Sequence, residues 1–358
     1  MSILQSIQGY IKNLKFSMII LPVFSILLAL IFGSILIISI GVNPLEAYKY
    51  LFTGAFGSWI QLTETLVNAI PLIFTGLAIT IAFRASIFNI GAEGQLYFGA
   101  VFATWAGVTF SLPVYIHLPF AIAMGFIGGM IWGAIPGILN AKKGLNIVIV
   151  TLLMNYIAIH FTNFLLNGPL QQPGSWNPQS SLIESTVILP ILFERTSLHA
   201  GIIIALALAV IVYIFLWKST LGFKLRMVGG NKKASENAGI SIDKTIILTM
   251  VLSGGIAGIA GAVEILGKHH RLITGFSPEY GFDAIAVAIM GRLHPLGVII
   301  AAIFFGGLRS GASVMQTAVR MPVVAVSVIQ GLVILFIVAG TAADIDWSKI
   351  FKKDGELI

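Results

Sequence analysis

Between Phe16 and Leu45 the chain carries no Asp, Glu, Lys or Arg. An uncharged apolar run of this length exceeds the roughly 20 residues that a helix needs to cross the hydrocarbon core of a bilayer. In lipid every backbone N–H and C=O must find its partner inside the protein, and a helix satisfies them within one segment. The run is too long for the apolar part of a signal peptide, and no small-x-small cleavage site follows it, so it is read as a first span. The pattern then recurs at 62–83, 88–110, 117–140, 146–166, 197–217, 244–266, 281–291, 295–310 and 321–342. The third and fourth runs merge without a charge from Gly94 to Ala141, and are divided at SLPVYIHLP (111–119), where two prolines end helices well. The expected fold class is an all-α polytopic membrane protein of about ten transmembrane helices, as a single transmembrane domain over 1–358. The runs 281–291 and 295–310 are short. A ten-residue helix rises only about 15 Å, half the hydrocarbon core. These two are expected as spans or as half-helices that meet inside the protein.

Charge gives the orientation. Only 10% of residues are charged, against about 25% in soluble domains, and the net charge is +7. The cations lie in short loops between apolar runs, which topology explains better than nucleic-acid binding does. With ten spans and the N-terminus inside, 15 of the 21 Lys and Arg fall on the cytoplasmic side, and both termini are expected there. In the first fifteen residues Ile3, Ile7, Ile11 and Leu14 recur at helical spacing, with Lys12 and Lys15 off that stripe. Segment 1–15 is either a short helix in the membrane interface or a frayed terminus. The absence of cysteine removes disulfide frameworks and Cys-ligated metal sites.

Two loops are long. The outer one, 167–196, is dense in Gly, Pro and Asn and predicts turns. The inner one, 218–243, is the most basic segment of the chain. There Asn231 predicts an N-cap, Lys232 to Ala238 about two helical turns, and Gly239 a left-handed stop. Ser241 then caps the next span, with Asp243 in its first turn. The segment is either a solvated basic loop or a short helix shaped for a groove in another protein.

The catalytic signatures are missing. Gly261 to Lys268 reads GAVEILGK, whose glycine spacing is wrong for a phosphate loop, so no ATP site is expected. HExxH and GxSxG do not occur. His269 and His270 are adjacent, point apart on a helix, and are read as interfacial polar groups, not metal ligands. Gly254, Gly258 and Ala262 recur every four residues and predict close helix packing within one subunit. The octet FNIGAEGQ (88–95) stands out at a membrane boundary. Asn89 is expected to cap a helix from Ile90, placing Glu93 in its positive first turn, with Gly91 and Gly94 allowing close backbone contact. The octet is expected beside a polar pathway. Asn68, Asn89, Glu93, Gln95, Asn155 and Tyr156 are the candidate pathway residues, each alternatively an interhelical hydrogen bond. FNIGAEGQLYFGA and GRLHPLGVIIAAIFFGG both place a glycine-punctuated break before a helix rich in small residues, a possible internal repeat.

FNIGAEGQ, NIVIVTLLMNYIA (146–158), RMVGGNKKASENAGI (226–240) and GFDAIAVAIMGRLHPLGVIIAAIFFGGLRSGA (281–312) carry a resemblance. The chain is similar, over about 60–340, to integral-membrane permease subunits of ABC importers for simple sugars, branched-chain amino acids and nucleosides, on the nucleoside-type branch. Ile147 stands where that family is expected to have a glutamate. The resemblance implies a translocation subunit that is not an enzyme and holds no cofactor, with ATP and Mg on a partner ATPase. That ATPase is expected to dock at Gly230, Asn231, Ala234, Ser235, Ala238 and Gly239. The resemblance further implies a second permease subunit, usually a different chain, and an extracellular or periplasmic substrate-binding lipoprotein. It places the chain in a bacterial cytoplasmic (inner) membrane. The implied cargo is nucleosides, with simple sugars such as ribose as the alternative. From another class, an ion-coupled secondary transporter would want acids at mid-membrane, whereas Glu64, Glu93, Glu264 and Asp283 fall near span ends.

Overall fold

The computed structural model describes the backbone from Ser17 to Ala343. The expected interfacial segment 1–15 and both termini lie outside the described residues. Thirteen α-helices are described: α1 Ser17–Ser39, α2 Pro44–Phe56, α3 Trp59–Arg84, α4 Ala92–Thr109, α5 Val114–Lys143, α6 Ile147–Leu166, α7 Gly201–Lys218, α8 Thr220–Gly230, α9 Lys232–Asn237, α10 Ile242–Glu264, α11 Tyr280–Met290, α12 Pro295–Ala318 and α13 Val323–Ala343. A π turn, Ile265–His269, prolongs α10. Among the described residues there is no strand.

The all-helical expectation holds, but the count of about ten spans does not follow. Among the described residues, six helices are long and apolar enough to cross a membrane: α3, α5, α6, α7, α10 with its π turn, and α12. α11 is short, and α1 and α13 show shorter apolar stretches, 27–39 and 324–336. The apolar run at 88–110 is helical only from Ala92. The two short runs separate: α11 has 11 residues, while α12 extends to 24 because the helix continues past 310 through SGASVMQTA. α5 starts at Val114, just after Pro113, and continues through Pro119 and Pro136. The loop 167–196 is built of turns with one 3-10 turn, Ser185–Val187, and hydrogen-bonds along 266–272 through Ser180, Ile183 and Leu189.

The chain divides into two compact units. Of the described residues, one comprises those up to Leu51 and from Ala312 onward, the other 52–311. In the first, α1 packs on α13, with the rings of Phe32 and Phe336 5.2 Å apart, and the Tyr48 hydroxyl donates to the Leu30 carbonyl at 2.6 Å. In the second, α10 packs most extensively on α5, then on α4 and α3. The glycine stripe explains this. Gly254 lies on the backbone of Gly129 and Gly133, and Gly258 on that of Gly125 and Gly129, with Gly99 of α4 against Gly258. Without side chains between them the backbones approach closely, and dispersion and weak polar contacts supply the attraction that lipid-like surroundings do not.

Candidate functional site

The break between α3 and α4 holds most of the octet. The chain leaves α3 at Arg84, turns at Ser86 in a left-handed conformation (φ 54°), and reaches Asn89, which is fully buried. Asn89 does not cap a helix from Ile90. The helix starts at Ala92 with Gly91 in the cap position, and the Asn89 Oδ1 accepts the Gly91 N–H at 2.9 Å, a turn closed one step earlier. The rest of its side chain is committed elsewhere. Nδ2 donates to Gln95 Oε1 (3.0 Å) and to Ser253 Oγ of α10 (2.9 Å), and Gln95 Nε2 returns a bond to Oδ1 (3.3 Å). Ser253 in turn donates to the Ala78 carbonyl of α3 at 2.8 Å.

Asn155 of α6 closes the network from the other side. Its Oδ1 accepts the Gly94 N–H and its Nδ2 donates to the Ile90 carbonyl, both at 2.9 Å. Gly94 is needed here, because a Cβ would press on Asn155 and on the Trp132 indole. Trp132 stacks on Phe98 with centroids 3.6 Å apart, and Phe98 on Phe161 at 5.5 Å. This aromatic column between α4, α5 and α6 has no periodic signature in the sequence. Tyr156 does not join the network: it is 56% exposed, on the face of α6 that carries Leu152, Leu153 and Ile157.

Glu93 does sit in the first turn of α4, but it serves another helix. It is buried, and its Oε2 accepts the Gly281 N–H at 2.6 Å, at the positive N-terminal end of α11. Asp283, in the first turn of α11, pairs with Arg309 at 2.5 Å. Arg309 also donates to the Pro278 carbonyl at 2.6 Å and lies over the Tyr280 ring. Glu264 pairs with Lys268 at 3.1 Å, approaches His269 at 3.4 Å, and accepts from the Tyr280 hydroxyl at 3.5 Å. Lys268 reaches Asn68 Oδ1 at 3.5 Å. The network therefore gathers Asn89, Gln95 and Asn155. Glu93 meets the N-terminal end of α11 and Asn68 meets Lys268 of the π turn instead. Sequence reasoning does not bring Ser253, Lys268 and Arg309 to the site: Ser253 and Arg309 are polar groups within largely apolar runs, and Lys268 opens the polar cluster KHHR (268–271). Among the described residues no three His, Asp or Glu side chains gather as a metal centre requires.

The basic segment 218–243 is largely helical. α8 occupies 220–230, where the sequence predicts loop. α9 then follows as expected, ending at Asn237. Asn231 Oδ1 accepts the Ala234 N–H at 3.0 Å, Gly239 is left-handed (φ 77°), and the Ile240 N–H returns to the Ser235 carbonyl at 3.0 Å. Ser241 stands in the cap position of α10, but its side chain makes no capping bond. Gly230, Asn231, Ala234, Ala238 and Gly239 are exposed, whereas Ser235 is buried. α9 thus offers a small-residue face, flanked by Lys232 and Lys233, that a partner groove can approach closely.

Residues 61–338 match the family described as branched-chain amino acid transport system / permease component. The guanosine ABC transporter permease protein NupP of Bacillus subtilis is 39% identical over 95% of this chain and 98% of its own. A glucose ABC transporter permease protein of Haloferax volcanii is 37% identical over 93% of this chain and 88% of its own. A second guanosine permease protein of the same Bacillus, NupQ, is 28% identical over 70% of this chain and 81% of its own. No solved structure matches.

Proposed function

The chain belongs to the family of branched-chain amino acid transport system permease components, and from that premise we propose that it is one membrane-spanning subunit of an ATP-driven importer of nucleosides. The likeness to a guanosine permease along 95% of the chain is the observation that carries the reading. A partner ATPase, holding ATP and Mg, docks on the exposed face of α9 at Gly230, Asn231, Ala234, Ala238 and Gly239, with Ser235 holding that helix from beneath. A second permease, a different chain, completes the pathway. Two guanosine permeases of one Bacillus, both similar to this chain, support that pairing. A substrate-binding lipoprotein delivers the cargo from outside. The complex sits in a bacterial cytoplasmic membrane with both termini of this chain inside.

A nucleoside is neutral, with an aromatic base and a polar ribose. Its path needs apolar or aromatic walls and a few uncharged hydrogen-bonding groups. The base of α4, with Asn89, Glu93, Gln95 and Asn155, forms the polar wall beside that path, Asn68 lies beside Lys268 farther along it, and exposed Tyr156 faces the second permease. Of the four acids that an ion-coupled carrier would draw on, three are engaged in this structure: Glu93 on a helix end, Glu264 by Lys268 and Asp283 by Arg309. A second reading, simple sugars, is favoured by the glucose permease at 37% identity. Deletion of the gene and uptake of labelled guanosine, uridine, ribose and glucose decide between them. Loss of guanosine and uridine uptake alone is expected; loss of sugar uptake alone would move the chain to the second reading. Uptake abolished by a protonophore while cellular ATP is maintained would favour ion coupling.

A further inference from the structure

The exit of α3, the ends of α7 and α8 and the turn between α11 and α12 are tied together around Arg84. Its Nε donates to the Leu293 carbonyl at 2.9 Å, and a second guanidinium nitrogen to the Arg292 carbonyl at 3.4 Å. The guanidinium lies 5.1 Å from the centre of the Trp217 ring at the end of α7. Trp217 in turn faces His294, with ring centres 5.0 Å apart. On the other side of Arg84, the Ser86 hydroxyl donates to the Gly229 carbonyl in the last turn of α8 at 2.7 Å. Gly229 lies on the backbone of Arg84 and Ala85 with no room for a Cβ.

Three of these residues hold a left-handed backbone without being glycine: Ser86 (φ 54°), Arg292 (φ 54°) and Leu293 (φ 52°). Such conformations are uncommon and persist where surrounding contacts over-determine them. Arg84 supplies those contacts at two of the three. The position of this knot matters. Asn231, which caps α9, is two residues beyond Gly229. The 292–293 turn is the lower end of α11, whose upper end is held by Glu93. α9 is thus joined to α11 through a short series of directly bonded residues.

We propose that Arg84 is a positioning residue that couples the ATPase-docking helix to the half-helix α11. The proposal rests on the importer reading and adds to it a residue through which ATP hydrolysis is linked to movement of cargo. A guanidinium spans two carbonyls and stacks on an indole at once, which a lysine ammonium cannot do. Arg84→Gln removes the clamp, Arg84→Lys keeps only charge, and Lys143→Gln removes a cytoplasmic charge from the exposed end of α5 as control.

The test is ATP hydrolysed per guanosine imported, in proteoliposomes holding this chain with its ATPase, second permease and binding protein. In Arg84→Gln the ratio is expected to rise about fivefold or more, with hydrolysis retained. Arg84→Lys should lie between, and Lys143→Gln should match the unaltered chain. Should Arg84→Gln fail to assemble, Ser86→Ala, which removes only the bond to Gly229, is expected to raise the ratio about twofold. An unchanged ratio in Arg84→Gln, or in Ser86→Ala where that variant stands in, overturns the role of the knot alone. An unaltered complex that hydrolyses ATP but imports neither guanosine nor glucose overturns the functional reading, and the inference with it.

Discussion

An asparagine side chain can give two hydrogen bonds and take two, and Asn89 does all four inside the protein. That leaves it nothing for cargo in this conformation, so its contribution is to hold the base of α4 against α10. Asn89→Leu is expected to strand Gln95 and Ser253 in an apolar setting. Interhelical bonds of this kind in membranes are worth ~0.6 kcal/mol on average and at most about 1.7, so losing several predicts a clear fall in melting temperature. The KM for nucleoside in the surviving protein should be unchanged; a raised KM at unaltered melting temperature would instead put Asn89 in contact with cargo. His294 makes a second point at the same scale. Burial, and then the nearby Arg84 guanidinium, push it down from 6.5 to about 4, so the folded protein holds it neutral. The unfolded chain takes up that proton near pH 6.5 and the folded chain only near 4. The stability that depends on it is intact above pH 6.5 and drains away between 6.5 and 4. His294→Gln is expected to flatten the fall of melting temperature across that window, and an unchanged slope would show that other groups set it.

Among the elements, the glycine stripe of α10 makes the firmest prediction. A Cβ at Gly258 meets the backbone of Gly125 and Gly129, which cannot rotate away. Gly258→Ala should cost about 1–3 kcal/mol as overpacking, and Gly258→Val more, read as loss of folded protein in detergent. Gly230→Ala, with open space around the added carbon, should cost far less. This stripe was legible in the sequence because its cause is local: a four-residue repeat puts Gly254, Gly258 and Ala262 on one face. α9 was legible for the same reason, since Asn231 and Gly239 bond to residues within a few positions of themselves. What could not be read was decided at a distance. The start of α4 at Ala92 depends on Ser253 claiming the Asn89 amide, a contact spanning 164 positions. α5 runs through Pro119 and Pro136 because neighbouring helices support a proline-containing helix in a membrane in ways its own sequence does not announce. α2 is a different case, because its start is written locally: Asn43 accepts the Leu45 N–H, Pro44 opens the helix and Glu46 lies in its first turn. For α9 itself, Ala234→Asp and Gly239→Val are expected to leave membrane insertion intact while uptake falls and ATP hydrolysis is uncoupled. The first puts a charge on the docking face, and the second opposes a left-handed C-cap. Normal uptake in both would remove α9 as the docking element.

At the scale of the whole molecule, the claim most open to direct measurement is which side of the membrane each end of the helices faces. The argument from charge places α8 and α9 inside and the 167–196 loop outside, since Lys and Arg concentrate on the cytoplasmic side of membrane proteins. The structure adds a consistency that charge alone lacks. α7 joins the outer loop to α8 directly, and its 18 residues rise about 27 Å, close to one hydrocarbon thickness. If α7 crosses the bilayer, the 167–196 loop and α9 lie on opposite faces whichever way the chain is inserted, and a single pair of labels tests the crossing and fixes its sense. The chain has no cysteine, so introduced thiols report without background. Trp176, fully exposed in the outer loop, and Lys233, exposed on α9, are the sites to replace; Ser235 is unsuitable because it is buried. Intact cells treated with an impermeant thiol reagent are expected to label Trp176→Cys and not Lys233→Cys, with both labelled after permeabilisation. Labelling of Lys233→Cys alone would invert the orientation and put α9 out of reach of any cytoplasmic ATPase. Labelling of both in intact cells would mean that α7 does not cross the membrane at all.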